Sequence, residues 1–330
     1  MKKMQGLLRI VVPNFIASCV VFSYDGSNII SGWNDGVIRA FTPLTGKLIY
    51  AIPNAHNKGC SSLTVSKNNR VLVSGGCEGQ VRVWKIEAQT QMLIAVLKEH
   101  TGPISSVQFN CFDSEVVSSS SDGTCIIWDI IRLARKNVLF ANTQFTCAQY
   151  FPTGVQILTC GSDRRVSYWE VYDGSMVRNV EASAKGAINC LDISSNGVQF
   201  VSAGNDQTVK IWDYQAGEIV AAGYGHAAII TTVRFTPDCK HVVTGSADGA
   251  IFIWKLPHAL SPQKTDLPSG KKNAKKIGAK QNKREDINEC DDMAQGSKIA
   301  NCPQIDCTNQ PVYEAMDSQS MGDMMAFRDS

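Results

Sequence analysis

The sequence predicts an all-β fold in which six similar repeats form the blades of a β-propeller. In each repeat an acidic residue stands six positions before a Trp or Phe: Asp35/Phe41, Glu78/Trp84, Asp122/Trp128, Asp163/Trp169, Asp206/Trp212 and Asp248/Trp254. Successive aromatic residues of this set are 41 to 44 positions apart, and five of the six tryptophans belong to it. A period in the low forties, with a short β-rich run before each aromatic residue, is typical of propellers in which one repeat supplies one four-stranded blade.

Short apolar and β-branched runs, separated by turn residues, predict the strands within each repeat. In the second repeat we expect strands at 60–65, 70–75, 80–86 and 92–97. In the sixth repeat we expect them at 229–235, 241–245 and 250–254, and the pattern stops at Pro257 before a fourth. This count fits either a six-bladed ring or an incomplete seven-bladed ring.

A propeller usually closes its ring with a strand from one end of the chain that completes the blade at the other end. Residues 7–12, which precede the first repeat, have a suitable apolar composition. We therefore expect them to pair beside residues 251–254.

The chain divides into a propeller domain at 1–256 and a charged tail at 257–330 that we expect to be disordered. The tail is rich in Lys, Asn, Asp, Gln and Ser, and a basic stretch at 264–284 precedes an acidic remainder. Such charge blocks usually keep a tail solvated, and a nuclear-import role for the lysine pairs at 271–272 and 275–276 is the alternative.

Composition argues against several classes of partner. A formal net charge of +2, with 19% charged residues, gives no reason to expect nucleic acid or a membrane surface. No stretch of about 18 apolar residues exists, and Arg9 and Pro13 interrupt the N-terminal apolar run, so we predict neither a span nor a signal peptide. The twelve cysteines form no CxxC pair, which favours reduced, mostly buried thiols and no metal site.

Three repeats carry a further polar pattern. A His stands 22 residues before the acidic residue, and a hydroxyl residue stands four before it. The sets are His56, Ser74, Glu78 and Trp84; His100, Ser118, Asp122 and Trp128; and His226, Thr244, Asp248 and Trp254. They match the structural tetrad of WD40 repeats, in which the carboxylate bonds the imidazole, the imidazole bonds the hydroxyl, and the hydroxyl bonds the indole N–H.

A Ser, His and Asp together also suggest nucleophilic catalysis, which we reject. The set recurs in several repeats, its hydroxyl is occupied by an indole donor, and no oxyanion hole or substrate pocket is indicated. We therefore predict no enzyme, no cofactor and no small-molecule substrate.

Repeats without the full pattern have Pro13, Ala141 and Ala184 at the His position, and we expect their blades to depend on packing. Because the repeated positions hold the fold, partner contacts should lie on rims and loops. The candidates are Trp33, an unusual aromatic residue two positions before Asp35, and Arg164 with Arg165, which follow Asp163 where four repeats have Gly. The alternative is a partly buried Trp and a solvated Arg pair.

Longer strings resemble the second half of the cilia- and flagella-associated protein 52 family. They lie at 31–46, 79–84, 121–133, 163–174 and 204–214, and include the atypical Phe41 and the loop residues Thr42 and Pro43. The resemblance covers roughly residues 7–256. It implies a non-enzymatic double-propeller protein of the cilium or flagellum axoneme, inside doublet microtubules, with tubulin and inner-junction proteins as partners. The sequence departs from this family in two ways: a full family member would carry another propeller before this one, and the tail after Pro257 resembles no part of the family.

Two functions remain open at this point. The first is a scaffold of cytoplasmic and cytoskeletal location in motile cilia that stabilises axonemal doublet microtubules. The second is a soluble adaptor that presents a peptide-binding propeller face, as a ubiquitin-ligase substrate receptor or in a nuclear complex.

Overall fold

The computed structural model describes residues 8–256, and these form six consecutive antiparallel β-sheets. Five sheets have four strands and the last has three, and each sheet is one blade. Within residues 8–256 there is no helix, and hence none long and apolar enough to cross a membrane. The predicted all-β propeller of six repeats is confirmed. The predicted tail at 257–330 lies outside the described residues.

The first and second blades contain β1 (Ala17–Phe22), β2 (Ile29–Trp33), β3 (Ile38–Phe41), β4 (Leu48–Ile52), β5 (Cys60–Val65), β6 (Val71–Gly76), β7 (Val81–Ile86) and β8 (Gln91–Leu97). The third and fourth contain β9 (Ile104–Phe109), β10 (Glu115–Ser120), β11 (Thr124–Asp129), β12 (Ala134–Phe140), β13 (Phe145–Tyr150), β14 (Gln156–Gly161), β15 (Arg165–Glu170) and β16 (Met176–Glu181). The fifth and sixth contain β17 (Ile188–Ile193), β18 (Gln199–Gly204), β19 (Thr208–Asp213), β20 (Ile219–Tyr224), β21 (Ile230–Phe235), β22 (His241–Ser246) and β23 (Ile251–Lys255). The strands expected in the second and sixth repeats agree with these bounds to within one residue.

Hydrophobic cores lie between blades rather than inside them. Residues 8–256 contain five such cores, one at each junction between consecutive blades. At the junction of the second and third blades, Val81 and Val83 of β7 pack with Val107 of β9 and Trp128 of β11. Each blade is thus stabilised mainly by its neighbours, because a single sheet leaves both faces exposed.

A β-bulge in the pairing of the first and second strands recurs in every blade. The residue skipped by the register is polar each time: Ser18, Ser61, Ser105, Thr146, Asn189 and Thr231. A bulge re-aims the side chain of its extra residue. At four junctions this side chain donates a hydrogen bond to the carbonyl oxygen that begins the next blade, as in Ser105 to Phe145 (2.8 Å) and Thr146 to Ile188 (2.6 Å).

The expectation that residues 7–12 close the ring is wrong for the described part of that segment. Residues 8–12 form no strand, and the sixth sheet contains β21, β22 and β23 alone. The side chains of Leu8 and Ile10 lie instead against Gly46, in the turn between β3 and β4. Apolar composition could not identify which surface this segment contacts, and Leu8 (40%) and Val11 (63%) stay exposed.

The turns of the blades lie on two opposite faces. We call the lower face the set of turns that join the first to the second strand and the third to the fourth strand. The upper face consists of the turns that join the second to the third strand, together with the links from one blade to the next. In an antiparallel sheet whose strands pair in chain order, these two sets must lie at opposite ends of the strands.

Gly36 and Gly249 occupy equivalent upper-face turns with φ of +76° and +79°, but they have different surroundings. A Cβ at Gly36 would lie 1.8 Å from the carbonyl oxygen of His56, whereas a Cβ at Gly249 would meet no atom within 4 Å. We expect Gly249→Ala to cost about 1–2 kcal/mol through its positive φ, and Gly36→Ala to cost roughly 1–3 kcal/mol more through the clash. Urea unfolding measures both, and equal losses would contradict the packing of this turn against the next blade.

Candidate functional site: buried polar tetrads and two loop faces

The three predicted tetrads lie in the second, third and sixth blades with the expected contacts. In the second blade, His56 Nδ1 lies 2.6 Å from Glu78 Oε1, and His56 Nε2 lies 2.7 Å from Ser74 Oγ. Ser74 Oγ in turn accepts a hydrogen bond of 2.9 Å from Trp84 Nε1. The corresponding contacts in the other two tetrads are between 2.7 and 3.0 Å.

The chemistry of the four groups assigns the protons. An indole N–H can only donate, so the hydroxyl oxygen accepts from it and donates its own hydrogen to Nε2 of the imidazole. Nε2 is therefore unprotonated, and Nδ1 carries the ring proton and donates it to the carboxylate. Each tetrad is a directed chain of hydrogen bonds that satisfies a buried indole, a buried hydroxyl and one oxygen of a partly buried carboxylate, although Glu78 Oε2 in the second blade is buried without a partner.

Burial sets the protonation states of these chains. Burial lowers the pKa of His56 and His100 below the usual 6.5, although their carboxylate partners act in the opposite direction. Burial opposes ionisation of Asp122, but the Thr124 hydroxyl, the backbone amides of Thr101 and Thr124, and His100 together lower its pKa to about 2. Near neutral pH the imidazoles of His56 and His100 are therefore neutral, and the Asp122 carboxylate is ionised.

The tetrad hydroxyls are unsuited to nucleophilic attack. Ser74, Ser118 and Thr244 are each 0% exposed, and each already donates to an imidazole. A nucleophile must be reached by its substrate, which this burial prevents. In residues 8–256 no group of His, Cys, Asp or Glu is arranged to hold a metal, and the nine cysteines of that range are free thiols, six of them buried.

Two blades that lack the His give their acidic residue a cation instead. In the first blade, Arg39 Nη2 lies 2.6 Å from Asp35 Oδ2 and Nη1 lies 3.2 Å from Oδ1. In the fifth blade, Lys210 Nζ lies 2.6 Å from Asp206 Oδ2. Both cations come from the third strand, two residues before the aromatic residue. The charged groups of Arg39 and Lys210 therefore bond the carboxylates that an imidazole bonds in the tetrads.

The fourth blade, with Ala141 at the His position, uses a hydroxyl. Thr143 Oγ1 accepts a hydrogen bond of 3.1 Å from the backbone N–H of Asp163. The blades without His therefore do not depend on packing alone, as the sequence had suggested.

Trp33 is not an exposed partner-contact residue. Its side chain is 5% exposed, and its indole N–H donates to Ser31 Oγ at 2.8 Å. In the second blade the equivalent position is Gly76, where a Cβ would lie 2.2 Å from the imidazole of His56. Trp33 thus extends into the space that His occupies elsewhere. In a blade that has Pro13 in place of His and Phe41 in place of Trp, it supplies the missing indole donor.

The signal for this substitution was present in the sequence. A bulky residue replaced Gly or Ser in the one repeat that lacked both the His and the Trp of the pattern. The three replacements, Pro13 for His, Phe41 for Trp and Trp33 for Gly or Ser, compensate for one another in the folded blade. Each replacement can be seen in the sequence, but the contacts among these residues cannot.

Arg164 and Arg165 are exposed at the upper face, Arg164 in the turn between β14 and β15 and Arg165 at the start of β15. Arg164 has φ of +67° where four other blades have Gly, and its guanidinium donates to the carbonyl oxygen of Ala184 at 3.2 Å. The Arg165 guanidinium lies 3.5 Å from the side chain of Asn179. Both remain candidates for partner contact.

Among the turns and links after β1, exposed apolar side chains are concentrated on the lower face. Seven large ones, each more than half exposed, lie in its turns: Tyr24, Leu44, Phe112, Ile131, Val155, Tyr172 and Val198. In the described upper-face turns and links after β1, no large apolar side chain is more than half exposed, and Ile229, at 42%, is the most exposed; Phe15 (43%) and Ile16 (71%) lie just before β1 at the same end of the strands. Sequence reasoning missed this asymmetry, because it depends on which turns share a face.

Four of the seven lie in turns of the third and fourth blades, and we call these residues, Phe112, Ile131, Val155 and Tyr172, the lower patch. Phe112 lies next to Gly154, which precedes Val155. The Asn137 side chain of β12 donates to the carbonyl oxygens of Val171 and Tyr172, both at 2.9 Å. The turns that carry the patch are therefore tied together across the junction between the two blades.

An open groove of about 470 Å³ lies on the upper face between the third and fourth blades. Asp122, Ala141, Thr143 and Ser162 line it together with the exposed ring of Phe140. Ala141 stands at the position that carries His in three other blades, which leaves space there.

Comparison with known proteins agrees with this geometry. The pattern of the family described as "WD domain, G-beta repeat" matches residues 46–85, 91–129, 174–213 and 217–255. The chain carries WD40 repeats.

Relatives of these WD40 repeats include cilia- and flagella-associated protein 52 of several species. The chain is 48% identical to the Homo sapiens protein over 252 residues, which are 76% of this chain and 41% of that protein. Identity to the Chlamydomonas reinhardtii protein is 43% over 248 residues, covering 75% and 40%. The chain thus spans about two fifths of the length of these relatives. A more distant relative, target of rapamycin complex subunit wat1 of Schizosaccharomyces pombe, is 23% identical over 232 residues, covering 68% and 73%.

A double-mutant cycle tests the ion pair of the first WD40 blade. The side chains of Asp35 and Arg39 are 12% and 14% exposed, so we expect a coupling free energy of about 1 kcal/mol or more between Asp35→Ala and Arg39→Ala. The pair Lys85 and Glu87, with side chains about half exposed, is the matched control and should couple by less than about 0.5 kcal/mol. Equal coupling in the two cycles, measured by urea unfolding, would show that Arg39 does not replace the His.

Acid should destabilise the protein in two stages. The folded state binds a proton at His56 and His100 less readily than the unfolded chain does, so stability is lost as the pH falls below about 6.5. A second loss follows below about pH 4, as the unfolded chain protonates carboxylates whose pKa folding has lowered, such as Asp122. We expect the melting temperature to fall between pH 7.5 and 5.5, and to fall less in His100→Gln. An identical decrease in the two proteins would be evidence against a neutral, buried His100.

Proposed function

We propose that the chain is a non-catalytic WD40 scaffold of motile cilia and flagella that stabilises axonemal doublet microtubules. Its partners are tubulin and inner-junction proteins, and its location is the axoneme. Similarity to cilia- and flagella-associated protein 52 across 76% of the chain supports the ciliary assignment. The lower patch is the observation that supports binding to proteins.

The lower patch has the properties of a protein-binding surface. Phe112 is 74% exposed, Ile131 81% and Tyr172 90%, and aromatic residues are enriched where proteins bind each other. Exposed apolar groups that are held close together usually mark such a surface. Charged residues in or next to the same turns, Asp113, Asp129, Arg132 and Asp173, can form a polar rim around it.

The polar tetrads support a structural rather than a chemical role for the upper face. Their hydroxyl and imidazole groups are buried and bonded to one another, so they are not available to a substrate. What the fold leaves available is surface for binding. A scaffold requires no more than that.

A matched pair of variants tests the lower patch. We expect the double variant Phe112→Ser and Tyr172→Ser to bind ciliary doublets with a Kd about tenfold or more above that of the wild type, as measured by co-sedimentation of the purified chain. A tenfold change in Kd corresponds to about 1.4 kcal/mol. Phe140→Ser is the control, because Phe140 is similarly exposed (70%) but lies at the upper end of β12. Both proteins should keep the melting temperature of the wild type to within a few degrees.

Two results would contradict the proposal. Equal binding by the double variant and the wild type would remove the lower patch from the interface. Failure of the tagged wild-type chain to enter the axoneme of a ciliated cell would remove the ciliary assignment itself.

The groove beside Phe140 favours a second candidate function. A soluble adaptor, such as a ubiquitin-ligase substrate receptor or a subunit of a nuclear complex, would bind a peptide in this groove. In that case Phe140→Ser would abolish capture of the partner and the lower-patch variant would not. Nuclear accumulation that requires the lysines at 271–272 and 275–276 would support the same function.

A further inference from the structure

Two thiols meet at the junction between the first and second blades. A Cβ at Gly32, in β2, would lie 2.7 Å from the sulfur of Cys19 in β1 and 2.5 Å from the sulfur of Cys60 in β5. The Cys19 sulfur also lies 4.0 Å from the carbonyl oxygen of Cys60. Because Gly32 has no side chain, the two sulfurs share the space beside its Cα.

Among the junctions within residues 8–256, this one alone brings two thiols together. The residues equivalent to Cys19 in the pairing registers of the next four blades are Ser62, Ser106, Cys147 and Cys190. The residues equivalent to Cys60, which begin the first strand of the blade that follows each of these, are Ile104, Phe145, Ile188 and Ile230. A large apolar side chain thus stands at the later junctions where the first junction has the Cys60 thiol.

The two cysteines differ in their access to solvent. Cys60 is 1% exposed, whereas Cys19 is only partly buried and lies in β1 between Ser18 and Val20, which are both exposed. A small oxidant can therefore reach the Cys19 sulfur, while the Cys60 thiol stays enclosed beside it. An accessible thiol next to a second thiol is typical of redox-sensitive pairs.

Hydrogen bonds favour the ionised form of the accessible thiol. A hydrogen bond from the Cys60 thiol, helped by the backbone N–H of Gly32, lowers the pKa of Cys19 although burial acts in the opposite direction. The same hydrogen bond and burial raise the pKa of Cys60. The carbonyl oxygen of Ser62, 3.7 Å from the Cys60 sulfur, is the other acceptor for the Cys60 proton. The pair thus combines one sulfur suited to nucleophilic attack with one protonated thiol.

We propose that Cys19 and Cys60 form a reversible disulfide across the first junction when hydrogen peroxide reaches the Cys19 sulfur. The two cysteines are 41 positions apart in the chain, so the bond would close a long loop and fasten β1 to the second blade. A cross-link of this kind stabilises the fold mainly by restricting the unfolded chain. The proposal concerns a modification of the propeller itself and does not depend on the proposed ciliary function.

The reaction has two steps. The Cys19 thiolate attacks one oxygen of the peroxide, the O–O bond breaks, and hydroxide leaves a sulfenic acid on Cys19. The Cys60 sulfur then attacks the Cys19 sulfur, the S–S bond forms and the S–O bond breaks, and the departing hydroxide takes the Cys60 proton as water. The two sulfurs together lose two electrons, which reduce the peroxide to water. A dithiol reductant reverses the reaction by thiol–disulfide exchange.

Cys147 and Cys160 provide a matched pair within the same protein. They are Cα partners on the adjacent strands β13 and β14, and they are 8% and 2% exposed. Burial also raises the pKa of Cys160 well above its usual range. This pair is therefore close in space but protected from a peroxide, and we expect it to stay reduced under conditions that oxidise Cys19 and Cys60.

Peroxide treatment of the full-length chain, followed by peptide mass spectrometry without reduction, tests the proposal. We expect a linked peptide containing Cys19 and Cys60 that dithiothreitol removes, and we expect the Cys19 thiol to be lost about tenfold or more faster than the Cys160 thiol. The oxidised protein should melt about 5 °C or more above the reduced protein.

Two variants separate the steps. In Cys60→Ala the disulfide cannot form, so the sulfenic acid on Cys19 should accumulate and be trapped by dimedone. Cys19→Ser gives β1 the residue that the second and third blades have at the equivalent positions, Ser62 and Ser106. It should yield neither the disulfide nor the dimedone adduct at Cys60, and when reduced it should keep the melting temperature of the wild type.

Three outcomes would overturn the proposal. Oxidation of Cys19 to sulfinic acid without a linked peptide would show that Cys60 does not reach the oxidised sulfur. A link from Cys19 to Cys77 or to a cysteine of the tail would show that another thiol is its partner. Loss of the Cys19 and Cys160 thiols at equal rates would show that the junction gives Cys19 no particular reactivity.

Discussion

The interaction common to all six blades is a hydrogen bond from an indole N–H to a buried hydroxyl on the second strand. The donor–acceptor distances are 2.8–2.9 Å at Ser31, Ser74, Ser118, Thr159, Ser202 and Thr244. These hydroxyl residues are at most 5% exposed, so an unpaired indole or hydroxyl there would be costly. The rest of each blade varies around this bond. Three blades extend it through His to a carboxylate, and the first and fifth bond the carboxylate to Arg39 or Lys210 instead.

The first blade shows how far the remainder can change while the bond is kept. The side chain of Phe41 has no N–H, so the side-chain donor cannot come from the third strand, as it does in the other blades. Trp33 supplies it from the second strand, and its ring also occupies the space of the absent imidazole. Arg39 lies over the ring of Trp33, 5.3 Å from its centroid, and pairs with Asp35. Loss of two tetrad members is compensated by one large residue and one cation.

The sequence was informative where a feature repeats and uninformative where a feature occurs once. The 41–44-residue period and the turn residues located the predicted strands to within one residue, because each repeat provides an independent copy of the same signal. The three tetrads followed from spacing for the same reason. The position of residues 8–12, the role of Trp33 and the grouping of exposed side chains on the lower face depend on contacts between segments far apart in the chain. A segment that occurs once cannot be compared with equivalent segments in other repeats, so its contacts cannot be predicted from the sequence in this way.

The distribution of exposed side chains follows from what the two faces must do for the fold. Upper-face turns carry the carboxylates and receive the link from the next blade, as where the N–H of His56 donates to the carbonyl oxygen of Gly36 at 2.9 Å. A change there disturbs a tetrad or a junction. Several lower-face turns are instead completed by their own short side chains, as where Ser23 and Asp25 satisfy the amides of Asn28 and Ser27. Their remaining positions are free to carry residues such as Phe112 and Tyr172, whose exposure contributes nothing to the fold. A propeller built this way has its buried polar tetrads and links between blades concentrated towards one face, and the exposed positions of the opposite face are where selection for binding can act with little loss of stability.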